Sequence, residues 1–220
     1  RNFLTYISTS WTQMPNYVVL IGDGSYDYKN YLDYGYPQVP TELVATSDGF
    51  FPSDNALADV SGNDGIPEFA LGRIPVVDSI ELNQYIDKLI AYEQTISAGA
   101  NAVMALVSDN LDPAAGDFQA SADRVHTLAA EKMTVHRFDA EVLGQSETHD
   151  RIIDALQQGA SILHYVGHSS LVALGKKNNL LSNDDLNTIS DIGRPLLMTS
   201  MACSTAIIRF SESSCGSVMA

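Results

Sequence analysis

Between residues 102 and 200 the chain keeps returning to one pattern: a short apolar run, a turn, then a stretch with apolar side chains at helical spacing. The runs cover residues 102–107, 134–138, 161–166 and 196–200. The helical stretches cover 118–132, 148–157 (starting near Ser146) and 183–189. Runs this short and this uniformly apolar predict strands buried on both faces, and strands separated by helices predict a parallel sheet built from crossover connections. A small hairpin is expected over 171–174. Open parallel sheets gather their chemistry just beyond the carboxyl ends of the strands, so the residues that follow each run are the first to weigh.

The run at 161–166 leads through Gly167 to His168, Ser169 and Ser170, and the run at 196–200 leads through Met201 and Ala202 to Cys203. Adjacent strands lie about 4.8 Å apart, so if these two are neighbours, an imidazole and a thiol leave the sheet side by side. A thiol attacks as thiolate, and an imidazole beside it takes its proton. Together they are the minimum equipment for acyl transfer. Taken alone, the same two residues also fit a buried small cysteine and a structural histidine. A zinc site at His168 and Cys203 would need further ligands that the sequence does not place. His164 reads as core, His126, His136 and His149 lack neighbours at ligand spacing, and Cys215 reads as a small buried residue.

The first part of the chain reads as an accessory subdomain, residues 1–98, ending at Ser97-Ala98-Gly99-Ala100, with a second subdomain over 99–220. Phe3, Leu4, Ile7 and Trp11 recur at helical spacing, 17–22 is a buried strand, 26–36 is a tyrosine-rich surface loop, and strands are expected at 39–45 and 69–72. The loop Asp23-Gly24-Ser25 has neither the further glycines nor the lysine of a phosphate cradle. Ile80, Leu82, Tyr85, Ile86, Leu89, Ile90 and Tyr92 form a helical face over 78–95, with Asp78 or Ser79 as its N-cap. Between them, Asp59, Asn63, Asp64 and Glu68 surround Gly65 as oxygen-bearing candidates for a structural calcium. Their register is not that of an EF-hand, because Asp64 stands where the glycine belongs, and a solvated acidic turn accounts for them equally. Arg73 is placed to pair with nearby carboxylates.

Composition narrows the partners. The 27 acidic residues outnumber the 12 basic ones, for a net charge of −15. That charge repels nucleic acid and anionic lipid and attracts cationic peptides. No apolar run has the roughly 20 residues needed to cross a bilayer, and the amino terminus lacks the apolar core of a signal peptide, as an excised fragment would. Two cysteines are too few for a disulfide framework.

Tyr165-Val166-Gly167-His168-Ser169-Ser170, with Cys203 a strand and a helix later, and the segment Gly62-Asn63-Asp64-Gly65-Ile66-Pro67-Glu68-Phe69-Ala70-Leu71-Gly72-Arg73-Ile74-Pro75-Val76, followed by a helix ending in Ala91-Tyr92-Glu93, resemble the gingipain family of cysteine peptidases. The likeness runs from Tyr17 to the end. It implies an α/β fold: a caspase-like parallel sheet flanked by helices, an N-terminal α/β subdomain, and a C-terminal part cut short here. It further implies a secreted or cell-surface cysteine endopeptidase acting on proteins or peptides, with no cofactor needed for the chemistry. By the resemblance Cys203 is the nucleophile and His168 its base and acid. The backbone N–H groups of Cys203 and Ser169 form the oxyanion hole, Asp109 assists the histidine, and Asp117, or alternatively Asp112, receives a basic P1 side chain. Two positions depart from the pattern: Ser169 stands where the family has glycine, and Ser204-Thr205-Ala206 replaces the turn after the nucleophile. These departures leave two alternatives, an inactive binding or secretion-associated module and a cysteine transpeptidase.

Overall fold

The computed structural model describes residues 1–25, 27–33, 37–47, 49–97, 102–170, 172–177, 180–189 and 196–203. The described residues form two compact units, one over Arg1–Asn83 and one beginning at Gln84.

In the first unit, α1 (Asn2–Ser10) is followed by β1 (Tyr17–Ile21), β2 (Leu43–Thr46), β3 (Gly49–Pro52), α2 (Asp54–Ala58) and β4 (Ala70–Ile74). β1 and β4 pair in parallel, and β2 and β3 form an antiparallel hairpin. Leu4 and Ile7, one turn apart on α1, pack with Leu57, Ala58 and Phe69, and Val18 and Leu20 of β1 turn onto this core. Where a strand buried throughout was expected, β1 alternates, with Tyr17, Val19 and Ile21 on the opposite face.

Arg73 ties this unit together. Its Nε and Nη2 grip the two oxygens of Asp54, each at 2.8 Å, while Nη1 donates to the carbonyls of Gly22 (2.9 Å) and Val39 (2.7 Å). Only a planar guanidinium serves a carboxylate fork and two carbonyls at once. Arg73→Lys is therefore expected to destabilise the fold by about 2 kcal/mol, read as a lower urea midpoint with the same dependence on urea.

α3 (Ser79–Ser97) begins as expected at Asp78, whose Oδ1 accepts from the amides of Ile80 and Glu81. The second unit then runs β5 (Val103–Ser108), α4 (Phe118–Ala129), β6 (Thr134–Asp139), α5 (Ala140–Leu143), α6 (Gln145–Gln157), β7 (Ile162–Val166), β8 (Ala173–Leu174), β9 (Leu181–Ser182), α7 (Asn183–Thr188) and β10 (Leu197–Met201). Four strands make one parallel sheet in the order β10-β7-β5-β6. Helices cover both faces because β5 is apolar on both. Ala105 and Val107 share a core with Ile152 and Leu156 of α6, while Met104 and Leu106 pack with Ala122 and Ala129 of α4. The expected hairpin is shifted: β8 pairs antiparallel with β9 across a longer connection. The domain boundary expected at Ser97–Ala100 and the turn Ser204-Thr205-Ala206 fall wholly or partly outside the described residues, and so does Cys215.

Candidate active site

Three adjacent strands deliver the site. β7 ends at Val166 and pairs in register with Met201, the last residue of β10, and with Ser108, the last residue of β5. His168 and Cys203 therefore each stand two residues beyond the same rung of neighbouring parallel strands. The amide of Gly167 extends that rung by donating to the carbonyl of Met201. Cys203 is exposed.

Behind the histidine lies a buried knot. Asp109, 1% exposed, follows β5 and accepts at Oδ2 from the main-chain amides of His168 (3.2 Å) and Lys176 (2.9 Å), and at Oδ1 from Asn110 (2.8 Å). The Tyr165 hydroxyl lies 2.5 Å from the carbonyl oxygen of His168 and 3.2 Å from Asp109 Oδ2, so its one proton is shared between them, and it accepts from the Gly175 amide at 3.0 Å. Burial first, and then the charge on Asp109, push the phenol well above its ordinary pKa, so it stays a neutral donor. The amide of Gly175 closes the loop on the carbonyl of His168 at 2.8 Å. Tyr165 on β7, Asp109 past β5 and Gly175 past β8 thus hold the main chain of His168 from three sides.

The imidazole itself goes elsewhere. Nε2 of His168 lies 2.9 Å from Oδ2 of Asp112, the ring is 29% exposed, and Phe118 at the start of α4 meets it edge-on with centroids 5.2 Å apart. Asp109, expected to assist the imidazole, instead holds the main chain, and Asp112 takes the ring. An Nε2–H bound to a carboxylate leaves Nδ1 with the lone pair, which is the tautomer a base needs. Lys176 reaches the same Oδ2 at 2.6 Å. Lys176, together with the Ala114 amide and His168, holds the Asp112 carboxyl down to a pKa of about 2.

The other expected residues are placed as follows. Asp117 is exposed and caps α4, with Oδ1 accepting from the Ala120 amide at 2.9 Å. Ser169 bridges to Leu174 of β8. All four calcium candidates already accept hydrogen bonds, three of them within their own loop. Asp59 Oδ2 accepts from Gly65, Asp64 Oδ1 from Ile66, Glu68 Oε2 from Val60 and Ser61, and Asn63 Oδ1 from the Arg1 guanidinium. Among the described residues no cluster of three or more His, Cys, Asp or Glu forms a metal site. Such short-range turns place carboxylates around a glycine just as a calcium loop does, which is why the pattern suggested both. His164 sits on β7 with Nδ1 2.7 Å from the Thr199 hydroxyl, and burial lowers its pKa. His149 lies between Asp150 and Asp185, each at 3.1 Å, which makes it an ion-pair partner of α7.

Lys176, Tyr165 and Phe118 are site residues that the sequence reading did not single out. A lysine directly after Gly175, in the connection that follows the histidine strand, was the one available signal.

The sequence profile of Peptidase family C25 matches residues 1–219. No curated protein matches the chain. Among solved structures, the Arg specific cysteine proteinase gingipain R (RGPB) is similar with a TM-score of 0.74 at 18% identity, over 99% of this chain and 47% of that one. At that identity the likeness shows the fold, an α/β architecture with a central parallel sheet flanked by helices, like the caspase-like fold of gingipain. The chain spans about half the length of that proteinase.

Proposed function

Because the chain belongs to peptidase family C25, we propose that it carries the catalytic centre of an extracellular cysteine endopeptidase, with Cys203 as nucleophile and His168 as base and acid. One observation carries this reading: His168 and Cys203 leave neighbouring parallel strands at the same rung, Val166 opposite Met201, with Asp112 on Nε2 of the imidazole. The Cys203 thiolate attacks the scissile carbonyl carbon, and the backbone N–H groups of Cys203 and Ser169 receive the developing oxyanion. The tetrahedral adduct expels the amine, which takes its proton from the His168 imidazolium. Water then adds to the thioester, loses its proton to His168, and releases the acid and the thiol. Substrates are proteins or peptides, and cleavage follows basic residues. Asp117 supports that preference, because its exposed carboxylate stands a few residues from Asp112 at the amino end of α4.

The test is mass-spectrometric labelling of the full-length protein with a peptidyl acyloxymethyl ketone bearing arginine or lysine. The expected result is a thioether at Cys203 that vanishes in Cys203→Ala and falls at least 100-fold in rate in His168→Ala. A folded protein left unlabelled by these probes, and by probes with uncharged P1 groups, overturns the reading in favour of a binding module. If product analysis with an added amine gives the amide in place of the acid, the enzyme is a transpeptidase.

A further inference from the structure

We propose that Lys176 is a positioning residue of this site: its ammonium clamps the Asp112 carboxylate against His168 and sets the pH range over which the imidazole serves Cys203. The inference rests on the peptidase reading above.

Asp112 lies in a surface turn past β5, not on a strand. Its carbonyl accepts from the amides of Ala115 and Gly116, and its Oδ1 accepts from the Ala114 amide at 3.1 Å. One carboxylate oxygen is thus committed to the turn. The other, Oδ2, is shared by His168 Nε2 at 2.9 Å and Lys176 Nζ at 2.6 Å. The Asp112 side chain is 13% exposed although the lysine chain is 61% exposed.

Lys176 is fixed at both ends. Its amide donates to Asp109, the same carboxylate that holds the His168 amide, and the preceding Gly175 amide donates to the His168 carbonyl. The root of the side chain is therefore registered to the histidine main chain, and its tip to the histidine's partner. An ion pair this open adds little to folding. Its effect falls on protonation. The groups facing the imidazole are Asp112, Lys176 and the edge of Phe118, with Asp109 behind the main chain and Cys203 on the neighbouring strand end. A lone carboxylate would favour the imidazolium, whereas a cation on the same oxygen opposes it. Lys176 therefore keeps the carboxylate oriented while tempering the stabilisation it gives to the charged ring.

The experiment is the pH dependence of Cys203 alkylation by iodoacetamide in the full-length protein, read by peptide mass spectrometry. Lys176→Gln, which lets Asp112 stabilise the imidazolium fully and so favours the thiolate beside it, is expected to move the profile to lower pH by about half a unit, and the shift shrinks at about 1 M salt, where screening reaches within a few ångströms. Lys176→Arg, which keeps the charge, is expected to stay with the wild type. A Lys176→Gln profile that coincides with the wild type, or a Lys176→Arg profile that shifts as far as Lys176→Gln, overturns the proposal. Failure of the underlying reading looks different: Cys203 of the wild type then alkylates no faster than in urea-unfolded protein, and His168→Ala leaves the rate unchanged.

Discussion

Asp112→Asn is expected to lower kcat/KM for a peptide substrate about 100-fold while leaving the unfolding transition in place. Asp109→Asn is expected to act through stability, removing about 3 kcal/mol. The difference follows from what each carboxylate touches. Asp112 binds the imidazole through Oδ2 and its own turn through Oδ1. An asparagine whose carbonyl keeps the Ala114 amide turns its NH2 toward the ring, so it can bond the imidazole only in the opposite tautomer, and it removes the negative charge that would stabilise an imidazolium. Asp109 is buried and receives three main-chain amides and a share of the Tyr165 proton. An amide there turns an NH2 group toward groups that already donate, and it leaves at least one buried N–H without an acceptor. Urea unfolding followed by circular dichroism, with peptide hydrolysis under conditions where each variant stays folded, separates the two. Full activity in Asp112→Asn would show that the histidine needs no charged partner, and wild-type stability in Asp109→Asn would show that the buried knot does not hold the loop.

The error over these two aspartates shows where sequence reasoning stops. The parallel sheet was legible because burial on both faces writes itself as uninterrupted apolar runs, and β5, β6, β7 and β10 lie within a residue or two of where the runs placed them. The strand-end positions of His168 and Cys203 were legible for the same reason, since a strand end fixes where its next residues emerge. Asp109 also follows a strand end, and the resemblance matched it to the assisting acid. Whether a carboxylate there turns inward to the main chain or outward to a ring depends on Tyr165 and Gly175, one on a neighbouring strand and one in a distant loop. Contacts between loops leave no period in the sequence. Asp112 and Lys176 meet across 64 residues, and nothing in either segment alone points to the other. The short helices α2 and α5, of 5 and 4 residues, were missed because they are too brief to display a helical repeat.

Gly167→Ala is expected to cost about 3 kcal/mol of stability and to remove activity even in the molecules that remain folded. The reason is space. A Cβ at this position would lie 2.4 Å from Cβ of Asp109, 2.4 Å from the Tyr165 hydroxyl and 2.8 Å from its ring carbon. None of these neighbours is a flexible side-chain end free to swing away. Asp109 and Tyr165 are 1% and 0% exposed and are bonded to the main chain on either side of the histidine. Making room pushes the phenol off the His168 carbonyl or the carboxylate off the His168 amide, and either movement displaces the imidazole from Asp112. A misplacement near 1 Å is enough to cost about two orders of magnitude in rate. The double variant Gly167→Ala with Tyr165→Phe provides the internal check, because deleting the hydroxyl relieves one of the two closest contacts and leaves the other. The two substitutions are therefore expected to cost less together than the sum of their separate costs, a coupling that a double-mutant cycle in urea reads directly. Strict additivity would mean that the methyl group is accommodated by movement of Asp109 alone, and the activity loss would then follow the carboxylate and not the phenol.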